Sequence, residues 1–404
     1  MDDQLNIIKE LAKKNDAKIL FMVMDGLGGL PVKELGGKTE LEFAKTPNMD
    51  RFAREGVLGL HDPIAPGITP GSGPAHFALF GYDPIKWNMG RGVLETLGIG
   101  FELKEGDVAI RTNFCTLDEK GLITDRRAGR IPTSKCVELS ELLDKNIKLK
   151  GVQTFIRAVR DYRGVVVLRG KGLGAKVEDT DPQVTGKRPL PPRPLDSAST
   201  KTAKLADELV KQAHEILKNK APTNGLLLRG FSMYKKYPSF KEIYKLEAAC
   251  VAVYPMYKGV SKLVGMTVLD AGENLESEIK TLEANWEKFD FFFFHFKYTD
   301  SRGEDGDYKG KVEAIEEVDS VLSKVRKLKP DVLIITGDHS TPSQLKSHSW
   351  HPVPFLMWGK ALRKDDSEYF GENECARGGV GRISALSLMP LAMAHAGKLL
   401  KFGA

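Results

Sequence analysis

The sequence predicts an α/β protein: a doubly wound, mostly parallel sheet with a smaller α+β domain inserted into it. Three observations carry that expectation. Short apolar runs end repeatedly in an acidic residue, helical patterns alternate with these runs, and the middle of the chain reads differently from both ends.

The first run, Lys18–Met24, leads into Asp25. Uninterrupted apolar runs this short, bounded by Gly and Asp, suit strands buried on both faces of a parallel sheet. From about residue 91 to 244 the chain turns basic, Gly-rich and Pro-rich, including Gly186–Pro194, which suits a connector or rigid arm rather than a core strand. One helical pattern stands there, Ser199–Lys218, with Ser199 or Thr200 as its cap. Alternation then resumes. Glu273–Lys288 reads as helix, Phe289–Tyr298 as a strand running into Asp300, and Lys309–Leu328 as helix. Val332–Ile335 is a strand leading to Asp338-His339, and the last helical pattern spans Arg382–His395. Strand and helix in turn argue for an open α/β layer. The expected division is a core of residues 1–90 and 245–404, with 91–244 inserted.

The 404 residues are 41% hydrophobic and 28% charged, which excludes a disordered polyelectrolyte or a collagen-like fibre. Sixty basic against 54 acidic side chains give a net charge of +6 without a dense basic tract. Nucleic acid is therefore a poor partner, whereas acidic small molecules fit. Cys115, Cys136, Cys250 and Cys375 are far apart and form no CxxC pair, the usage of a reducing compartment. The first 17 residues carry no leader pattern, and the longest apolar stretches are too short to span a bilayer. A cytoplasmic protein is expected, with no membrane partner and an oligomeric state left open.

Two constellations could do chemistry. In Pro70-Gly-Ser72-Gly-Pro-Ala-His76, glycines flank a serine ahead of a helical Phe77–Phe80. Such a turn exposes the hydroxyl, and the N–H groups of the following helix favour phosphate. A plain Gly/Pro turn with a serine cap is the competing reading. The segment is neither a GxxxxGK[ST] loop nor a GxSxG elbow. The second constellation places Asp25, Asp338 and His339 at strand ends, with Asp300, Glu304 and His351 in neighbouring loops. Asp, Glu and His together suit Mn²⁺, Zn²⁺ or a related dication, and six groups suffice for two ions. His348 reads as an exposed loop residue, and His61, His214 and His395 as structural or solvated.

Lys18–Gly26, Thr46–Gly56, Gly71–His76 and Gly81–Pro84 resemble the alkaline phosphatase superfamily. With Thr124–Arg130, Asn224–Gly230, Thr299–Asp307, Thr336–Thr341 and Ser347–Pro354, the chain is similar more narrowly to archaeal-type cofactor-independent phosphoglycerate mutases. That resemblance implies an alkaline-phosphatase type of core and interconversion of 3- and 2-phosphoglycerate without bisphosphoglycerate. Ser72 would be the nucleophile. Asp25, Ser72, Asp338 and His339 would hold one ion, and Asp300 with His351 the other. The family has a His where this chain has Glu304, a carboxylate that still ligates and favours Mn²⁺, with Mg²⁺, Co²⁺ or Zn²⁺ as alternatives. Asp125 would be the general base, and Lys258 would neutralise the leaving oxygen. Arg126, Arg127, Arg130, Arg163, Arg169 and Arg229 would bind phosphate and carboxylate, Arg126 and Arg229 foremost. A phosphatase or another phosphomutase on the same core, or a non-catalytic phospho-metabolite binder, are the competing functions.

Overall fold

The computed structural model describes residues 3–87 and 89–403. Its strands are β1 (Ile19–Met24), β2 (Val57–Asp62), β3 (Val108–Leu117), β4 (Ile123–Asp125), β5 (Gln153–Arg160), β6 (Arg163–Arg169), β7 (Gly225–Met233), β8 (Ala248–Ala252), β9 (Thr267–Val268), β10 (Phe291–Phe296), β11 (Val332–Thr336), β12 (Val353–Gly359) and β13 (Gly381–Ser384). The chain divides into two compact units, residues 1–88 with 238–404, and 89–237.

The first unit holds an eight-stranded sheet in the order β13-β2-β12-β11-β1-β10-β8-β9. Only β12 runs antiparallel to its neighbours. Every residue of β1, β8, β10 and β11 is buried, because helices cover both faces, as their continuous apolar character requires. The strands β10 and β11 flank β1 in parallel, Met24 lying opposite Phe296 and Val23 opposite Thr336. Their carboxyl ends therefore stand side by side, where open α/β sheets bind ligands. Residues 238–244, expected with the insertion, belong here instead. Phe240 and Tyr244 pack their rings on Phe80, Tyr82 and Phe291.

The second unit is an antiparallel sheet in the order β4-β3-β6-β5, with β7 also paired to β3. Val108, Ile110 and Phe114 of β3 join Val166, Leu168, Leu226 and Leu228 in one core with the Thr133–Asn146 and Thr200–Leu217 helices. Side chains alternate across a strand, so Arg111, Arg163 and Arg229 fall on the opposite face.

Two boundaries differ from the sequence reading. Gly381–Ser384 is the edge strand β13, its residues alternately half-buried and exposed, and the last helix begins only at Leu388. Ser199 does not cap the Thr200–Leu217 helix with its side chain; its hydroxyl accepts from Lys176 N at 3.0 Å.

Candidate active site

Ser72 opens the Ser72–Leu79 helix, with Gly71 as the residue before it. Ser72 Oγ lies 3.4 Å from His339 Nε2. That nitrogen is 3.2 Å from Asp25 Oδ1 and 3.3 Å from Asp338 Oδ2. Two strand ends, those of β1 and β11, and one helix start thus converge. His76, one turn along the helix, bonds through Nδ1 to the Ser72 carbonyl at 2.7 Å and stands 3.3 Å from Asp338 Oδ2.

The charge balance here is unusual. Asp25, Asp338 and His339 are all fully buried. Burial favours a neutral Asp25, but Lys297, His339 and His295 hold its carboxyl well below the usual range. Asp338 goes the other way, pushed well up by burial and by Asp25. Burial also opposes the imidazolium of His339, yet Asp338 and Asp25 raise it to about 9. Asp25 Oδ1 and Asp338 Oδ2 accept no hydrogen bond among the described residues. Buried carboxylate oxygens without donors are costly, and a divalent ion satisfies both. The donor set therefore fits such an ion.

A second group adjoins the first. Asp300 is not in a loop; it sits in the first turn of the Tyr298–Asp305 helix, and Glu304 follows it by four residues, on the same face. His348 completes this group, and its reading as an exposed loop residue is corrected. Its Nε2 is 3.6 Å from Asp300 Oδ1 and 3.9 Å from Glu304 Oε1, and its ring stacks on His339 at 3.6 Å. Facing the Pro70 carbonyl at 3.0 Å, Nδ1 is placed to donate, which leaves the lone pair of Nε2 towards the carboxylates. Ligand atoms of Asp300, His339 and His348 lie within 4.8 Å of one another, as do those of Asp25, Asp338 and His339. His351 is in neither group. It bonds to Ser349 Oγ at 3.0 Å and stacks on Trp350.

Lys297, Tyr257 and Thr341 escaped the sequence reading. Lys297 Nζ lies 3.0 Å from Asp25 Oδ2 and also pairs with Asp300, bridging the two groups. Tyr257 donates its hydroxyl to Asp25. Thr341 donates to Asp300 Oδ1 at 2.7 Å and faces His339 Nδ1 at 3.0 Å. Only Lys297 had a signal in the sequence, three residues before Asp300. Lys258 is half-buried, and its charge acts on Glu278 and the Cys250 thiol.

In the second unit, Arg126 grips Asp181 bidentately at 2.9 and 2.7 Å, and Arg229 Nη1 reaches the same carboxylate at 3.4 Å. Arg111, absent from the sequence reading, is buried, 3.0 Å from Glu95. Burial lowers its pKa, and Arg91, Arg163 and Arg229 press it further down. Arg111 stands directly opposite Arg229 in the sheet. Like charges facing across strands destabilise, and Glu95 on Arg111 and Asp181 on Arg229 offset part of that repulsion. Arg169 is tied elsewhere, to Asp107 at 2.7 Å and over the rings of Phe101 and Phe155. Arg127 and Arg130 are exposed. Both carboxylate oxygens of Asp125 accept backbone N–H groups, from Arg127 at 2.7 Å and Gly129 at 2.6 Å, the geometry of a turn acceptor.

The family model that matches residues 53–224 describes 2,3-bisphosphoglycerate-independent phosphoglycerate mutase. A Thermus thermophilus protein described as a probable mutase of that kind is 51% identical over 406 residues, covering all of both chains. Among solved structures, a Pyrococcus horikoshii protein gives a TM-score of 0.84 at 33% identity, covering 97% of this chain and 100% of that one. The cofactor-independent phosphoglycerate mutase of Thermoplasma acidophilum gives 0.71 at 29% identity, covering 94% and 100%. The geometry gathers a serine hydroxyl and two candidate cation-holding groups. With half its residues identical over the full length, the chain belongs to the 2,3-bisphosphoglycerate-independent phosphoglycerate mutase family.

Proposed function

We propose that this chain interconverts 3-phosphoglycerate and 2-phosphoglycerate through phospho-Ser72, without a bisphosphorylated cofactor. The observation that carries the reading is the Ser72 hydroxyl, held at a helix start 3.4 Å from His339 within the buried acidic group. Asp25, Ser72, Asp338 and His339 would hold one divalent ion, and Asp300, Glu304 and His348 the other. Bound there, the ions supply Lewis acidity that lowers the pKa of a serine hydroxyl and neutralises phosphoryl oxygens. Two carboxylates to one imidazole favour Mn²⁺ or Mg²⁺ over Zn²⁺ or Co²⁺ at the second position.

The residues then divide the labour. Ser72 Oγ gives up its proton and attacks phosphorus, its bond forming as the substrate's ester P–O bond breaks, and the released proton is passed to the leaving oxygen. The other hydroxyl of the retained glycerate next attacks phospho-Ser72, surrenders a proton, and frees the serine. No water is consumed and nothing is oxidised or reduced. We assign the proton traffic to Asp125, which must exchange its turn hydrogen bonds to perform it. Arg126, Arg163 and Arg229, joined by Arg111, bind the carboxylate and phosphate. We assign the reaction to glycolysis and gluconeogenesis, and with it the enzyme to the cytoplasm.

Ser72→Ala should lower turnover by at least about three orders of magnitude while circular dichroism stays unchanged. Brief exposure of the native enzyme to substrate should leave phosphate on Ser72 by mass spectrometry. Phosphate found on a histidine, or near-normal mutase activity in the Ala variant, would end the proposal.

A further inference from the structure

Lys311 is a lysine with no exposed surface, in the buried face of the Tyr308–Leu328 helix. A buried ammonium normally finds a carboxylate. This one donates to three backbone carbonyls instead: Gly26 O at 3.0 Å, Gly28 O at 3.1 Å and Thr341 O at 2.9 Å. Three donors meet three acceptors, so the group is satisfied. Those acceptors come from two different loops, the one after β1 that begins at Asp25 and the one after β11 that carries Asp338 and His339.

The junction is tight as well as polar. Thr341 N is 3.0 Å from Gly28 O, and Gly26 adopts a φ of +62°. A Cβ on Gly26 would meet Thr341 Oγ1 at 2.5 Å and Asp300 Oδ1 at 2.9 Å. One on Gly303, in the helix of Asp300, would meet the Thr341 carbonyl at 2.3 Å. Thr341 also donates to Asp300 and faces His339 Nδ1. All three strand ends that present acidic groups to the site are thus joined at one knot, with Lys311 at its centre.

We infer that Lys311, acting through the Thr341 loop, is a positioning residue that sets the spacing of the cation-holding side chains. The inference rests on the reading that Asp25, Asp338, His339, Asp300 and their neighbours hold divalent ions. Ligands are only as well placed as the groups that orient them, and losing an orienting partner lowers metal affinity about 10–100-fold. Charge and geometry act in opposite directions here. Removing a buried positive charge beside an acidic site by itself draws a cation in more strongly, so weaker binding can come only from lost placement.

The test is calorimetric titration of chelator-stripped, full-length protein with Mn²⁺. Lys311→Met should bind Mn²⁺ at least about tenfold more weakly than the native protein. Thr341→Val, which keeps the carbonyl and loses only the hydroxyl, should weaken binding in the same direction. Leu322→Ala, a core change on the same helix, should lower the melting temperature and leave the affinity alone. Native or tighter affinity in folded Lys311→Met overturns the inference. Should that variant fail to fold, Thr341→Val decides, and native affinity there overturns it equally. If the native protein binds no Mn²⁺, the underlying metal reading fails instead, which is a distinguishable result.

Discussion

Glu304 and His348 face each other across the second acidic group; Glu304 was readable from its place four residues after Asp300, whereas the role of His348 is not evident from its neighbours in sequence. Burial and the charge of Asp300 push the Glu304 carboxyl up, so the group carries more negative charge than it can comfortably hold alone. Burial and the positive charge of His339 push the His348 imidazole down, which keeps its lone pair available. His348→Ala and Glu304→Ala should each reduce the bound metal from two ions towards one, measured by elemental analysis after dialysis. His351→Ala should retain both ions, since its ring is engaged by Ser349 and Trp350. Loss of an ion in His351→Ala with none in His348→Ala would reverse the assignment. The sequence could not separate the two histidines. They stand three residues apart in one irregular loop, without a periodicity to say which one turns inward.

The central strands β1, β10 and β11 were legible, because burial on both faces leaves an uninterrupted apolar run; the other strands of that sheet and all those of the second unit were not. The C-terminal helix was legible only in part. Arg382-Ile-Ser alternates like an edge strand, yet it joins helical residues without a break. Lys311 was invisible for a different reason: a lysine on an amphipathic helix reads as solvent-facing until the tertiary partners are known. Glu278 belongs to the same class. It lies in the Leu275–Asn285 helix, 2% exposed, with Oε1 accepting no hydrogen bond among the described residues. Burial raises it from an ordinary 4.5 to about 8, against the pull of Lys258. A carboxyl raised on folding stabilises the native state fully below its unfolded pKa, and the contribution disappears as pH climbs through the folded value. Glu278→Gln mimics the neutral form at every pH. Urea unfolding of metal-free protein should therefore show the variant gaining on the native chain by a few kcal/mol between pH 5 and 8.5. A difference between the two that does not change with pH would mean that Glu278 does not titrate in this window.

At the scale of the whole chain, an insertion of residues 89–237 interrupts a doubly wound unit that is otherwise complete. The sequence showed that interruption as a change of composition, but composition changes gradually and could not fix its ends. Packing does fix them. Trp87 stacks edge-on against Tyr82, and the Tyr82 hydroxyl donates to the Pro238 carbonyl at 2.7 Å. The chain therefore leaves and re-enters the first unit around one buried tyrosine. Each unit also has a core of its own, the first around Leu20, Met22, Phe292, Phe294, Leu333 and Ile335, the second around Val108, Val166, Leu209 and Leu228. Units with separate cores and close-lying junctions can fold alone. Replacing 89–237 with a flexible Gly/Ser linker of about six residues should thus give a cooperatively folded protein, since such a linker easily spans neighbouring points. All the proposed metal-holding residues lie outside the deleted segment, so the shortened protein should still bind Mn²⁺ by calorimetry. The arginines assigned to the substrate are gone, and with them the means of keeping the glycerate in place between the two transfers. Mutase activity should disappear, and any phosphate reaching Ser72 should be lost to water, appearing as slow release of inorganic phosphate from phosphoglycerate. A shortened protein that binds no Mn²⁺ although folded would show that the ligand set needs the insertion. One that retains mutase activity would show that the arginine face is not where the substrate is held.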